Sequence, residues 1–180
     1  MNRHSSRVLV SGRVVVLALF SLISTSSIAA TCNPSLLVTT PDSRFQDNSD
    51  QTVSDLSTHL MWARCTIGRT WDGTTCNGIA EERNWQQAVE NARDSSLAGY
   101  NDWRLPNIKE LNYLIERSCY LPAINENFFS SVNGVTDDYW TSTPDSNDGS
   151  KAWLIGFSDG QFGVDAKDNT HSVRLVRGGI

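Results

Sequence analysis

Carboxylates, amides, tryptophans and cysteines are the residues of this chain whose types and spacing could do chemistry, and they fall into a few groups. Asp47, Asn48, Asp50 and Asp55 crowd one short stretch. Alternating Asp and Asn can offer hard oxygen ligands to calcium, which makes this set a candidate calcium site. A calcium loop of the EF-hand kind also needs a sharp glycine turn and a distal bidentate acid. Here Ser49 and Gln51 separate the acids, so the competing reading is an Asx-rich hairpin turn. A second set is Asp137, Asp138, Trp140, Asp145, Asn147, Asp148 and Trp153. Carboxylates and amides beside aromatic rings suit sugar recognition: rings cover C–H faces and polar groups orient hydroxyls. The competing reading puts Trp140 and Trp153 in the core of strands, with the acids on a solvated loop.

Asp102-Trp103-Arg104 places a large apolar ring between opposite charges. Such a triplet reads either as a binding or catalytic arginine or as a staple, with Trp103 in the core and Arg104 tying down carbonyls or carboxylates. The high average burial of tryptophan favours the staple. No catalytic residue is expected, because no nucleophile motif accompanies His59 or His171.

There are four cysteines, Cys32, Cys65, Cys76 and Cys119. None forms a Cys-x-x-Cys pair, so neither a thioredoxin-like nor a zinc-ribbon site has support. An even number in an exported domain implies two disulfides, with three possible pairings. Cys65 and Cys76 bracket the Gly/Thr-rich residues 66–75, and closing that small loop leaves Cys32 to meet Cys119.

Export is read from residues 1–30. Arg3, Arg7 and Arg13 precede or interrupt an apolar run at residues 14–23, followed by Ser27-Ile28-Ala29-Ala30. That is the layout of a secretory signal peptide, and cleavage after Ala29 or after Ala30 fits equally well. The apolar run is too short for a membrane anchor. Residues 31–180 then form one domain by size, placed in the periplasm, in the medium or at the cell surface. The whole chain carries 15 basic and 20 acidic residues. Loss of the three leader arginines leaves 12 against 20, a net charge of −8. A nucleic-acid partner is excluded on that charge, since phosphate binding needs clustered Lys and Arg.

The elements that must position these groups are legible in part. Phe45 and Val53 flank turn formers and read as a hairpin; Leu60-Met61-Trp62-Ala63 reads as a short buried strand. Asn84 starts a helix in which Trp85, Ala88, Val89 and Ala92 share one face. Asn107 with Glu110 has capping-box spacing and starts a second helix expected to run to near Cys119. Strands are expected at 138–143, 152–158, 161–165 and 172–177, with Asp159-Gly160 as the hairpin signal and Arg174 and Arg177 lining one face or edge. Helices first and strands later make an α+β domain.

The motif Asn101-Asp102-Trp103-Arg104-Leu105-Pro106-Asn107-Ile108-Lys109-Glu110-Leu111 resembles the DUF1566 group, also named after the C-terminal domain of a Legionella collagen-like adhesin. The likeness continues in Leu60-Met61-Trp62, Pro122-Ala123-Ile124-Asn125, Tyr139-Trp140-Thr141-Ser142-Thr143 and Val173-Arg174-Leu175-Val176-Arg177. The resemblance implies a C-type-lectin-like fold, with two helices packed on a twisted antiparallel sheet and a variable loop face for ligands. It also implies an exported binding module for a glycan or a surface protein, or else a structural subunit of a surface or pilus-like assembly. The adhesin that names the group binds sulfated glycans, a specificity at odds with a charge of −8. The Glu-Pro-Asn and Gln-Pro-Asp tripeptides of calcium-dependent lectins are absent.

Overall fold

The computed structural model describes residues 30–129 and 138–179. The leader and Asp137 therefore lie outside the described residues. In chain order the elements are β1 (Thr31–Cys32), β2 (Phe45–Asp47), β3 (Thr52–Asp55), β4 (Leu60–Ala63), β5 (Arg69–Trp71), β6 (Cys76–Gly78), α1 (Trp85–Arg93), α2 (Ile108–Asn112), β7 (Cys119–Tyr120), β8 (Asp138–Pro144), β9 (Lys151–Gly156), β10 (Phe162–Ala166) and β11 (Val176–Gly178). The class is α+β. No helix among the described residues is long and apolar enough to cross a membrane.

Two antiparallel sheets carry the fold, one of order β11-β4-β3-β2 and one of order β10-β9-β8, and two-stranded ribbons β1-β7 and β5-β6 flank them. Neighbouring residues along a strand face opposite ways, and here both directions are apolar. Ile155, Tyr139 and Trp62 join one core with Leu111 of α2, Phe129 and Phe157. Leu154, Trp140 and Ala63 join a second core with Ala88 and Ala92 of α1, Trp103 and Leu175. Strands β4, β8 and β9 therefore send side chains into both cores, which explains why residues 153–157 are apolar at nearly every position.

α1 starts at Asn84, whose side chain accepts from the Gln87 amide while the Gln87 side chain accepts from Asn84. Ala88 and Ala92 are fully buried, but Val89, expected on the same face, is 37% exposed. The contact stripe is narrower than the spacing suggests. α2 starts at Asn107 through a capping box with Glu110 and ends at Asn112, well short of Cys119. The chain leaves the helix because its main chain is taken up elsewhere: Ile115 bridges Ile124, and the Glu116 amide donates to Ala123 O at 3.0 Å.

Both disulfides join the cysteines paired by loop size, Cys32–Cys119 and Cys65–Cys76. The turn from β9 to β10 uses Gly160 at φ +74°, with its α-carbon against Ile115; a Cβ there would lie 2.7 Å from Ile115 Cγ2. Arg174 lines neither a face nor an edge. It is fully buried, donates to Ala63 O and Arg64 O, and lies over the Phe129 and Tyr139 rings. A guanidinium placed on carbonyls and ring faces keeps its hydrogen bonds inside the core.

Candidate ligand-binding cleft

Two tight turns meet beside Arg64. The first joins β2 to β3. Asp47 Oδ1 accepts from the Ser49 amide at 2.8 Å, and Asp50 Oδ1 accepts from the Thr52 amide at 3.1 Å. Asn48 Nδ2 donates to Thr52 Oγ1 and Ser54 Oγ, both at 2.9 Å. These Asx contacts hold Ser49 and Gln51 at φ 60° and 75° without glycine. The second turn joins β5 to β6, where Trp71 pairs with Cys76. Asp72 Oδ1 accepts from the Thr74 and Thr75 amides at 2.8 Å each, and its Oδ2 accepts from Asn77 at 2.5 Å. The Cys65–Cys76 disulfide fixes the base of this turn.

Arg64 joins the two. It is 3% exposed, donates through Nη1 to Asp47 Oδ2 at 2.5 Å and through Nη2 to Asn127 O at 3.0 Å. Its guanidinium lies 3.8 Å from the centre of the Trp71 ring. Between the turns is a cleft of about 440 Å³, lined on one side by Asp47, Ser49, Asp50 and Gln51 and on the other by Trp71, Asp72 and Gly73. Burial alone would raise the Asp47 carboxyl, but hydrogen bonds from Arg64 and Ser49 outweigh it and hold the group below its usual value. The Thr75 and Thr74 amides do the same for Asp72. An indole can cover the C–H face of a ring while the ionised carboxylates beside it accept from the ring's hydroxyls.

The calcium set is only partly brought together. Asp47, Asn48 and Asp50 sit in the first turn, but Asp55 is buried at the far end of β3. There it accepts from Arg44 Nε at 2.9 Å and from Arg44 Nη2 at 2.5 Å. Burial raises Asp55, and bonds from Arg44, Thr58 and Ser57 overcome that and bring it to about 2. Among the described residues no group of three or more His, Cys, Asp or Glu is placed to hold a metal ion. Asp47 also faces a guanidinium, so this donor set does not fit a calcium ion.

The described residues of the second set divide among four places. Trp140, expected as a stacking ring, is fully buried, and its indole donates to Arg83 O at 2.9 Å; it belongs to the second core. Trp153 points to the other face of the sheet, half-buried opposite Val164. Asp145, Asn147 and Asp148 form the β8–β9 turn, where Asp145 and Asp148 accept from the Asn147 and Ser150 amides. Asp138 starts β8, at the opposite end of that strand. Its carboxyl is pushed up by burial and by Asp159 and Asp165, against a downward pull from His171.

Asp102-Trp103-Arg104 lies apart from the cleft. Trp103 is 2% exposed and donates to Leu97 O at 2.9 Å. Arg104 makes a bidentate pair with Glu110, 2.7 Å for each bond, and donates to Gly178 O at 2.9 Å. Asp102 accepts from Arg177 at 2.6 and 3.1 Å. The triplet thus ties α2 to β11. The residues that sequence reasoning missed are Arg64, Trp71 and Asp72. Trp71-Asp72-Gly73 is legible as a turn, but nothing in its spacing says that it faces Asp47.

The model of a protein family described as the Lcl C-terminal domain matches residues 51–177, well over half of the chain. No curated protein matches the chain.

Proposed function

The chain belongs to the Lcl C-terminal domain family, and on that premise we propose that it is an exported, C-type-lectin-like module that binds a glycan in the cleft between the two turns and performs no catalysis. The observation that carries this reading is the half-buried Trp71 ring beside the ionised carboxylates of Asp47 and Asp72, on turns held by hydrogen bonds and a disulfide. Export is supported by the leader layout and by two disulfides, which persist in oxidising compartments. Helices packed on antiparallel sheets support the lectin-like architecture. With Asp50 and Asp72 unpaired by any basic side chain among the described residues, the cleft favours neutral or amino sugars over sulfated ones.

The test is a glycan array probed with the exported protein and with its Trp71→Ala variant, in calcium and in chelator. The expected result is binding to non-sulfated glycans that survives chelation and is lost in the variant. An array with no bound glycan under either condition sinks the reading; binding kept by Trp71→Ala moves the site elsewhere.

One observation favours a second reading, a structural or interaction subunit. Among the described residues β10 pairs only with β9, and it exposes Phe162 (46%) and Val164 (38%) beside Trp153. An apolar sheet edge of this kind can pair with another chain. Concentration-dependent assembly in solution, abolished by Val164→Lys, would support it.

A further inference from the structure

We propose that the mature chain begins at Ala30 and that its new α-ammonium group is held by Glu126. Two readings of the leader compete, cleavage after Ala29 and cleavage after Ala30. Signal peptidases select small residues at the first and third positions before the cut. Cutting after Ala29 uses Ala29 and Ser27, whereas cutting after Ala30 puts Ile28 at the third position.

The folded domain separates the two readings independently. The Ala30 nitrogen donates to Glu126 Oε2 at 3.2 Å. Glu126 is half-buried, and among the described residues it makes no ion pair with Lys, Arg or His. Its position is fixed from both sides. Asn125 Nδ2 donates to Thr40 O at 2.7 Å and to Asp42 Oδ1 at 2.8 Å, and Asn127 Nδ2 donates to Asp42 Oδ2 at 2.9 Å. Ala30 is fixed as well, because Thr31 pairs with Tyr120 and Cys32 is bonded to Cys119. A half-buried carboxylate is costly without a cation, and a main-chain amide offers it only a dipole. An α-amino group titrates at about 7.7–8.0, so a free Ala30 amine brings a full positive charge at neutral pH. Cleavage after Ala30 would remove the donor and put the charge on Thr31, inside the β1-β7 ribbon. The covalent step is a hydrolysis. Water adds across the Ala29–Ala30 peptide bond, the new carboxylate leaves on Ala29, and the nitrogen stays on Ala30 and takes up a proton.

The experiment is export of the full chain from a bacterial host, with the intact mass and first residue of the product determined. Ala30 as first residue is expected; Thr31 as first residue, or an uncleaved chain, overturns the proposal. The ion pair is tested on the same product by combining Glu126→Gln with selective acetylation of the α-amine. Each alone should lower the thermal midpoint by about 1–4 °C, the range for one partly exposed ion pair in a domain of this size. The two together should lower it no further than one alone. Additive losses, or no loss from either, would mean that Glu126 does not hold the ammonium group.

Discussion

Replacing Glu116 with glutamine should release the N-terminal segment from the body of the domain, and the loss should depend on pH in a way that only a carboxylate can produce. Glu116 is 4% exposed. Its Oε2 accepts from the Thr39 amide at 3.0 Å, the Thr40 amide at 2.7 Å and Thr40 Oγ1 at 2.8 Å. Its Oε1 accepts from the Ser118 amide at 2.9 Å and Ser118 Oγ at 2.6 Å. Burial pushes this carboxyl up, but the donors on Ser118 and Thr40 prevail and lower it from 4.5 to about 2. A tenfold change in acid strength is worth about 1.4 kcal/mol, so the folded state gains roughly 3 kcal/mol from the ionised form.

The folded value lies below the unfolded one. The gain is therefore complete above the unfolded value of 4.5 and is lost as pH falls from there toward about 2. Glutamine keeps the shape, loses the charge and turns an N–H toward an N–H. Urea unfolding at about pH 7 should place Glu116→Gln roughly 2–3 kcal/mol below the parent. In a thermal scan that is a drop of about 5–10 °C. At about pH 2.5 the difference should have shrunk to roughly a quarter of that, under about 1 kcal/mol. Asp55, also held at about 2, is present in both proteins and cancels in the comparison. A difference that stays constant from neutral to acid pH would refute the reasoning, because the cost would then come from shape and not from ionisation.

Three further outcomes can be checked on the same material. Trp103→Ala should cost about 3–5 kcal/mol in chemical unfolding, the range for emptying a buried aromatic site, while leaving glycan affinity unchanged at temperatures where the variant is folded. Cys65→Ser with Cys76→Ser opens a loop closed over 11 positions and should cost about 3 kcal/mol by chain entropy; because that disulfide anchors the Trp71 turn, array binding should weaken even in the folded state. Gly68→Ala should destabilise by at least about 1–2 kcal/mol in a thermal scan. Gly68 sits at φ +88°, and a Cβ would run into Ile79 O and the Glu81 main chain.

Some features are legible in the sequence because their causes are local. The Asn84 and Asn107 caps depend on residues three positions away, and the β2–β3 hairpin on Asx turns within its own loop. The Cys65–Cys76 pairing follows from a short loop. Trp140 is harder to place, because alternation separates a buried face from a wet one only when one face is wet. In β8, Tyr139 enters one core and Trp140 the other, so neighbouring positions look equally eligible for burial and for a binding face. Arg174 misleads for a related reason: a charge in the sequence suggests the surface, but its donors are met by the Ala63 and Arg64 carbonyls from 110 or more positions away. The cleft is the extreme case. Its two walls are separate turns, and what brings them together is the reach of one side chain.

That side chain also sets what the cleft can hold. Arg64 lies between Ala63, which is packed in the second core, and Cys65, which is bonded to the strand opposite Trp71. Both walls are therefore referred to a single residue whose own amide donates to Gln51 O and whose carbonyl accepts from Arg174. A guanidinium stacked at 3.8 Å on the indole and paired with Asp47 loses little further freedom when a ligand arrives, so ordering costs at the site are small. This matters for sugars, whose hydroxyls exchange water for protein at little net gain. The Arg64 charge is taken up by Asp47, leaving the carboxylates of Asp50 and Asp72 to face the ligand. A sulfated chain would meet repulsion there, whereas a hydroxyl or an ammonium would find acceptors. On the proposed reading, the cleft would owe its specificity less to the acids visible in its loops than to the buried arginine that decides which of them stays uncompensated.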